Sequence, residues 1–527
     1  MTVQKSLSGG KENSFPPHSN NFAIKLSKIS KRFGNVVAND SVDLQVEKGT
    51  IHGIVGENGA GKSTLMSILF GFYKADSGTI QIEEDLHEIN SSQKAISLGI
   101  GMVHQHFMLV PPFTVLENVM LGNEGGFLLS TGLKVSREYL IKLSNDYGLN
   151  VNPDHKIEDL PVGMQQRVEI LKALSRGAKI LVLDEPTGVL TPQETEALFE
   201  ILHSLKTQGV TIIFITHKLK EIMAVTDNVS VMRAGKMVAH LKTRETSSEN
   251  IAELMVGRKV LLSVNKTKYN PGNIILEAKN ISLKKEDGRE VLKNITFKVK
   301  EREILGIAGV AGNGQSELLE VLSGMQRLQS GEIIFDNKLI NSKKYLNPKE
   351  LRGLSVSHVP EDRQARGIVL PFENRENAIL GFHDLSYFQK GLFMDGKILT
   401  DYVKDISERF DVRPNNSFLK SANLSGGNQQ KLVLAREIDS KPKLFLVGQP
   451  TRGVDIGAIE FIHKHLLKMR DNGAAVLLVS VELDEIMSLS DRIIVMNNGE
   501  IVDEVISEKA NEKDLGLLMA GIKKNEI

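Results

Sequence analysis

The stretch Gly56-Glu57-Asn58-Gly59-Ala60-Gly61-Lys62-Ser63, followed by Thr64, carries the most specific chemistry in the chain. It fits G-x-x-x-x-G-K-[ST], a loop whose backbone N–H groups converge on phosphate oxygens. In such a loop a lysine, here Lys62, reaches the β/γ phosphates, and a hydroxyl, here Ser63, ligates Mg²⁺. Context separates this loop from a chance glycine cluster. Ile51, Ile54 and Val55 before it read as a buried strand, and Leu65, Ile68 and Leu69 after it fall at i, i+3, i+4 on one helical face. The positive end of that helix adds to the pull on an anion. A glycine-rich turn with a surface lysine is the bland alternative, and the strand–loop–helix order disfavours it. The stretch implies a chain that binds a nucleoside triphosphate.

Other polar groups stand at the ends of apolar runs. Ile180 to Leu183 reads as a buried strand that ends in Asp184 and Glu185, two charges costly to bury without a task. Val210 to Ile215 is a second buried strand, ending at Thr216 and His217. A strand end near Val103 carries His104, Gln105 and His106, and the two histidines read as structural. Ahead of the loop, Ile24 and Leu26, then Val42, Leu44 and Val46, alternate with polar residues, so 22–47 predicts half-exposed antiparallel strands. A helix is expected from about Gln165 to Arg176, with Val168, Leu171 and Leu174 on one side. The segment 107–160 reads as helical and loop-rich, broken at Pro111-Pro112 and Gly125-Gly126.

At 527 residues the chain should hold at least two domains, taking ~150 residues per domain as a prior. With 41% hydrophobic and 25% charged residues it has apolar mass for full cores. Lys+Arg and Asp+Glu are both 65, so no basic nucleic-acid footprint is expected. The absence of cysteine excludes disulfides and thiolate metal sites and fits a reducing compartment. No apolar run approaches ~18 residues, so no transmembrane helix is expected. Residues 1–21 lack an apolar h-region and read as a disordered tail.

The order of elements then returns. Ile295, Phe297 and Val299 lead into Gly309-Val-Ala-Gly312-Asn-Gly314-Gln315-Ser316. Lys62 maps to Gln315, an offset of 253 (315 − 62), while Asp184 maps to Gly448 and His217 to Val481, offsets of 264 (448 − 184 and 481 − 217). The extra residues of the second copy fall mostly in its mixed segment after Glu361. Two domains, 22–257 and 273–527, are therefore expected, joined by a polar linker at 258–272.

Taken together, a phosphate loop, a strand-end Gln, Leu-Ser-Gly-Gly before a helix, an Asp-Glu strand end and a strand-end His resemble the ABC-type ATPases, over residues 22–521. That resemblance implies an α/β fold of two tandem P-loop domains, each with an antiparallel β subdomain and a helical subdomain. It also implies that the two domains sandwich ATP head to tail, each nucleotide lying between one phosphate loop and the other domain's signature. The copies are unequal in a patterned way. The first keeps Lys62, Ser63, Gln105, Asp184, Glu185 and His217, but its signature position reads Leu160-Pro161-Val162-Gly163. The second has an intact Leu424-Ser425-Gly426-Gly427, while its catalytic positions read Gln315, Glu361, Gly448, Gln449 and Val481. Head-to-tail pairing would collect every intact part in one interface.

By that resemblance Asp184 would hold Mg²⁺, together with Ser63 and Gln105, and Glu185 would polarise the attacking water. Gln105 would also sense the γ-phosphate, and His217 would contact it from the side. Ser425, Gly426 and Gly427 would approach it from across the interface, and Asp455 would cross the interface too, although it could instead cap the next helix. Phe33 sits where the family stacks an aromatic on adenine; a lone Phe otherwise reads as core. In the other interface Gln315 lacks a cation worth about 4 kcal/mol at ~4 Å and an effective dielectric of ~20, before desolvation. Gly448 cannot hold a metal and Gln449 cannot accept a proton. Gly312, Gly314 and Ser316 could still cradle a nucleotide, so binding without hydrolysis is expected there.

Finer features are similar to the tandem ATP-binding subunit of bacterial sugar and nucleoside importers: Gly312-Asn-Gly-Gln-Ser316, Gln449-Pro-Thr-Arg-Gly453, and His358-Val-Pro-Glu-Asp-Arg363 followed by Arg366-Gly367. Val103 to Pro112 is similar to the nucleoside-type, basic-lipoprotein-linked branch. This implies two membrane-spanning permease subunits, an extracytoplasmic substrate-binding protein reached indirectly, and a peripheral place on the cytoplasmic face of the membrane. Segments 106–160 and 362–423 would receive the permease's coupling helices. A soluble tandem ATPase acting on ribosomes or nucleic acid is the alternative, which the single intact site, short linker and zero net charge argue against. A regulatory module without turnover is a third reading, opposed by the intact Lys62–Asp184–Glu185 set.

Overall fold

A computed structural model describes residues 21–34, 36–104, 107–122, 129–188, 190, 192–259, 266–285, 287–310, 312–391, 393–454 and 456–521. The expected tail (apart from Asn21), Gln105, His106, Gly125-Gly126 and Asp455 lie outside them. The chain divides into two compact units between Val260 and Leu261, within the segment read as a linker.

The N-terminal unit has two sheets. One is antiparallel, in the order Val36–Glu47, Phe22–Phe33, Ser77–Ile82, Asp85–His87. The period of two in the sequence becomes its two faces, with Val42, Leu44 and Val46 turned inward and their neighbours outward. The second sheet runs Lys236–Lys242, Asn228–Arg233, Ile51–Gly56, Thr211–Ile215, Ile180–Asp184, Ile100–Val103. Its pairings are parallel except the outermost one, Lys236–Lys242 against Asn228–Arg233. All of Ile51–Gly56 is buried, as a parallel strand covered on both faces must be. The helix Lys62–Leu69 joins the sheets, sharing one core with Leu26 and Leu44 of the first and Ile54, Val182 and Ile213 of the second.

Parallel strands deliver their carboxyl ends to one edge. Asp184 and Ile54 both stand in register with Ile215, so the loop after Gly56, the Asp184–Glu185 step and the Thr216–His217 step emerge side by side. The signature-position helix begins at Val162, earlier than the apolar spacing suggested, because Pro161 supplies the fixed φ of a helix start; it ends at Ser175. The helical part also holds Val115–Met120, closed by a capping box of Thr114 and Glu117, and Leu129–Asp146.

The C-terminal unit repeats this plan. Its antiparallel sheet runs Glu290–Lys300, Ile274–Lys284, Ser330–Phe335, Lys338–Asn341. Its second sheet runs Val356–Val359, Leu444–Gly448, Ala475–Ser480, Glu303–Ala308, Arg492–Asn497, Glu500–Ile506. The helical part contains Gly396–Arg409 and Gly426–Asp439 and adds a two-stranded hairpin, Gln389–Lys390 with Phe393–Met394, within the longer mixed segment. Among the described residues no helix is long and apolar enough to cross a membrane.

Both phosphate-loop strands are pinned at their start by an aspartate. Asp227 accepts from the Ile51 N–H at 2.9 Å and pairs with Lys206 at 2.6 Å. In the second unit Asp491 accepts from the Ile304 N–H at 2.9 Å and pairs with Arg470 at 2.8 Å. Arg470 is only 2% exposed, so its pairing decides whether Asp491 is tolerated inside. Arg470→Ala should destabilise this unit by about 3–5 kcal/mol, the cost of stranding a buried charge. Urea unfolding followed by amide exchange of residues 304–308 checks this; a loss under about 1 kcal/mol would contradict it.

Candidate active site

The turn between Gly56 and Lys62 is shaped by glycines. Gly61 has φ 97°, and a Cβ there would lie 2.2 Å from the Ala38 carbonyl oxygen, so no side chain fits. The Asn39 amide donates to the Gly61 carbonyl at 3.1 Å and ties the turn to the antiparallel sheet. Lys62 folds back over its loop, its Nζ donating to the carbonyls of Gly56 at 2.7 Å and Glu57 at 3.1 Å. It is 6% exposed, and burial pulls its ammonium below the ordinary value, while the carboxylates of Glu185, Asp184 and Glu57 pull the other way.

Asp184 meets this loop from the strand on the far side of Thr211–Ile215, its carboxylate accepting from the Ser63 hydroxyl. Burial, and then the charge of Glu185, raise its carboxyl above the usual range, with Ser63 and Lys62 opposing. The Ser63 hydroxyl and the Asp184 carboxylate are hard oxygen donors of the kind Mg²⁺ prefers, and would hold it there. Among the described residues no group of three or more His, Asp or Glu side chains is placed to hold a metal alone. The residues present therefore fit a metal that arrives with a phosphate.

Glu185 occupies the left-handed region, φ 48°, a strain of about 1–3 kcal/mol for a residue with a side chain. Its N–H donates to the Ile215 carbonyl at 2.9 Å, which turns the carboxylate toward His217; Nδ1 lies 3.0 Å from Glu185 Oε1. The His217 hydrogen bond holds the Glu185 carboxyl below its ordinary value, against burial. Behind this pair stands Glu221, which sequence reading missed. It accepts from Thr187 at 2.6 Å and Thr216 at 2.9 Å, bracing the two strand-end loops that carry Glu185 and His217. Its signal, an acid on the inner face of a short helix, is too common to stand out.

Phe33 is 42% exposed, so it is not a core residue; its ring meets the edge of Tyr73 at 5.1 Å and lies 5.5 Å from Lys31 Nζ. His104 packs on Phe72 and Phe70 and lines a cavity of about 270 Å³ with Met108, Lys172 and Arg176.

The second loop has the same backbone and different chemistry. Gly314 repeats the left-handed step at φ 102°, and Gln449 repeats that of Glu185 at φ 46°. Among the described residues the Gln315 amide donates to the Val310 carbonyl, at 3.3 Å. Glu361 fills the place where a strand-end aspartate would stand. It accepts from Ser316 at 2.6 Å, and a Cβ on Gly448 would come within 2.6 Å of its Cγ. Gln449 Oε1 accepts from the Val481 N–H at 3.3 Å, replacing the carboxylate–imidazole pair by an amide on backbone.

The two signature positions differ as well. Ser425 caps Gly426–Asp439, accepting from the Asn428 N–H at 3.4 Å and its side-chain amide at 2.9 Å, and Gly427 is buried. Val162–Ser175 has no side-chain cap, and a Cβ on Gly163 would lie 2.6 Å from Glu194 Oε1, so a carboxylate stands against that helix start. Thus the first unit assembles Lys62, Ser63, Asp184, Glu185 and His217, and the second presents Ser425, Gly426 and Gly427.

Residues 39–188 and 292–452 match the ABC transporter family. The nucleoside import ATP-binding protein NupA of Lactococcus lactis subsp. cremoris is 46% identical over 507 residues, covering 96% of this chain and 100% of that protein. The guanosine import ATP-binding protein NupO of Bacillus subtilis is 46% identical over 506 residues, 96% and 98% of the two chains. The glucose import ATP-binding protein TsgD13 of Haloferax volcanii is 43% identical over 528 residues, 94% and 96%. Among solved structures, that of archaeal ribosome recycling factor aABCE1 with ribosomal stalk protein aP1 matches at TM-score 0.59, over 90% of this chain and 88% of that one. At 20% identity that likeness is one of fold alone.

The Glu185–His217 contact gives a pH prediction. A carboxyl held below its ordinary value stabilises the fold at neutral pH and loses that contribution as pH falls through the folded-state value. His217→Ala removes the lowering contact and leaves the burial, so Glu185 should titrate at higher pH in the variant. Carbon NMR of labelled glutamate checks this; an unmoved titration would contradict it.

Proposed function

This chain belongs to the ABC transporter family, and on that footing we propose that it is the ATP-hydrolysing subunit of a nucleoside importer with one composite hydrolytic site. The phosphate loop and water-activating residues of that site come from the N-terminal unit, and its signature comes from the C-terminal unit. One observation carries the reading: Lys62, Ser63, Asp184, Glu185 and His217 stand together in a unit whose own signature is uncapped and faces Glu194. The serine-capped signature belongs to the unit that lacks both strand-end carboxylates.

In this reading Lys62 exchanges its loop carbonyls for β/γ oxygens of ATP, and the amides of 57–63 cradle the phosphates. Phe33 offers an open ring for the adenine. Mg²⁺, held by Ser63 and Asp184 with Gln105, supplies charge neutralisation on the phosphates. Glu185 accepts from or orients the attacking water, with His217 fixing its carboxylate. The Ser425 hydroxyl and the amides of Gly426 and Gly427 complete the site on closure. The second loop holds nucleotide without turning it over.

Two permease subunits and an extracytoplasmic binding protein are the proposed partners, with this chain peripheral on the cytoplasmic face. The cavity walled by Phe70, Phe72 and Met108, with Lys172 and Arg176 at its polar side, suits a short amphipathic helix of a permease. Nucleoside cargo is favoured over sugar because two of the most similar relatives are named for nucleoside and guanosine import. Those relatives equally disfavour the ribosome-acting alternative.

Glu185→Gln should keep ATP binding and lower steady-state hydrolysis by about a hundredfold or more; turnover near wild type would refute the site. Gln449→Glu alone should restore nothing, since Gly448 and Gln315 remain. A doubled ATPase rate in that variant would show a second competent site.

A further inference from the structure

Residues 361–367 form a strap between two parts of the C-terminal unit that serve different sites. Toward the second phosphate loop, Glu361 accepts from Ser316 at 2.6 Å, and Arg366 pairs with Glu320 on the helix Gln315–Leu322. Toward the signature, Gln364 Nε2 donates to Gln429 Oε1 at 3.3 Å, and Arg436 donates to the Gly367 carbonyl at 2.9 Å. Gln429 and Arg436 both lie on the signature helix Gly426–Asp439. Asp362 closes the strap into a single π-type turn by accepting from the N–H groups of Gln364 and Ala365 at 2.9 and 3.0 Å.

Arg363 is the point where the strap meets the signature. A Cβ on Gly426 would lie 2.6 Å from its Nη2, so the guanidinium nests in the space that glycine leaves at the helix start. Its Nη1 donates to the Arg452 carbonyl at 2.8 Å, in the turn that leads to Asp455. Among the described residues its buried Nε meets no acceptor, so the guanidinium is held by Nη1 and by the fit against Gly426. The N-terminal unit has Phe107 and Val162 at the corresponding positions. There Met108 bonds to Glu169 and Lys172 on the signature-position helix. Among the described residues 107–110 make no hydrogen bond to the phosphate-loop helix.

We propose that Arg363 is a positioning residue for the hydrolytic site of the N-terminal phosphate loop. It sets the placement of Ser425, Gly426 and Gly427, and passes to them the state of the second phosphate loop through Glu361 and Ser316. The proposal rests on the composite-site reading above. A nucleotide on the second loop draws the Ser316 hydroxyl toward phosphate and away from Glu361. The strap carries that change to the signature helix, so the site that does not turn over regulates the one that does.

Steady-state ATPase of the full-length chain tests this. Arg363→Ala should lower kcat about tenfold, as small misplacements of catalytic groups do. ATP affinity of the first loop should stay within about twofold, because Lys62 and its loop are untouched. Arg363→Lys keeps a donor for the Arg452 carbonyl and should recover part of the rate. Ser316→Ala should also lower kcat, although it lies in the other loop, and the double variant should be no slower than the slower single one. Wild-type kcat in Arg363→Ala, a loss that merely tracks a fall in Tm, or losses that multiply in the double variant would each overturn the proposal. Undiminished turnover in Glu185→Gln would instead overturn the composite site, so the two failures are distinguishable.

Discussion

The parallel pairing of Ile51–Gly56 is the constraint on which the N-terminal site depends. Hydrogen-bonded on both edges, to Thr211–Ile215 and Asn228–Arg233, and covered on both faces, the strand has no freedom to slide. A one-residue slip would turn every side chain to the wrong face, and Asp227 fixes its first amide besides. Residues far apart in the chain then meet because their strands end at one edge. The apolar interior holds the frame, and the polar groups stand just beyond it, where the backbone turns away from the sheet.

That division explains how the two units can share a frame and differ in chemistry. Glu185 and Gln449 have nearly the same left-handed φ, and both donate their amide to the neighbouring strand, to Ile215 and Val479. The strained turn is a property of the strand crossing, so it persists when the carboxylate is lost. The position of Asp184 is taken in the second unit by Gly448, and the Glu361 side chain, from the end of the adjacent strand, packs against it. The second site is a repacked version of the first, with its hydroxyl and its acid bonded to each other.

Much of this was legible in the sequence, for reasons that differ by element. The phosphate loop was readable because G-x-x-x-x-G-K-[ST] sits between an apolar strand and a periodic helix, and each signal constrains the other. The duplication was readable because strand ends recur in order. The start of the signature-position helix was misplaced, since apolar spacing says nothing about Pro161 as a cap. Glu221 and the strap 361–367 were invisible as structure. The bonds that tie them to other elements mostly join residues dozens apart, whose types, Thr, Gln, Arg and Glu, are ordinary on any surface. The cavity under His104 could not be foreseen either, because a void is defined by what packing fails to fill.

The proposed single hydrolytic site, built from both units, makes one demand that can be measured directly. The chain has no cysteine, so a pair introduced at Asn58 and Ser425 reports on nothing else. In the Glu185→Gln background, ATP should bring these positions close enough for a disulfide to form within one chain, and removal of nucleotide should abolish it. Failure of that link to form with ATP, while the same protein binds ATP normally, would contradict a site built from both units.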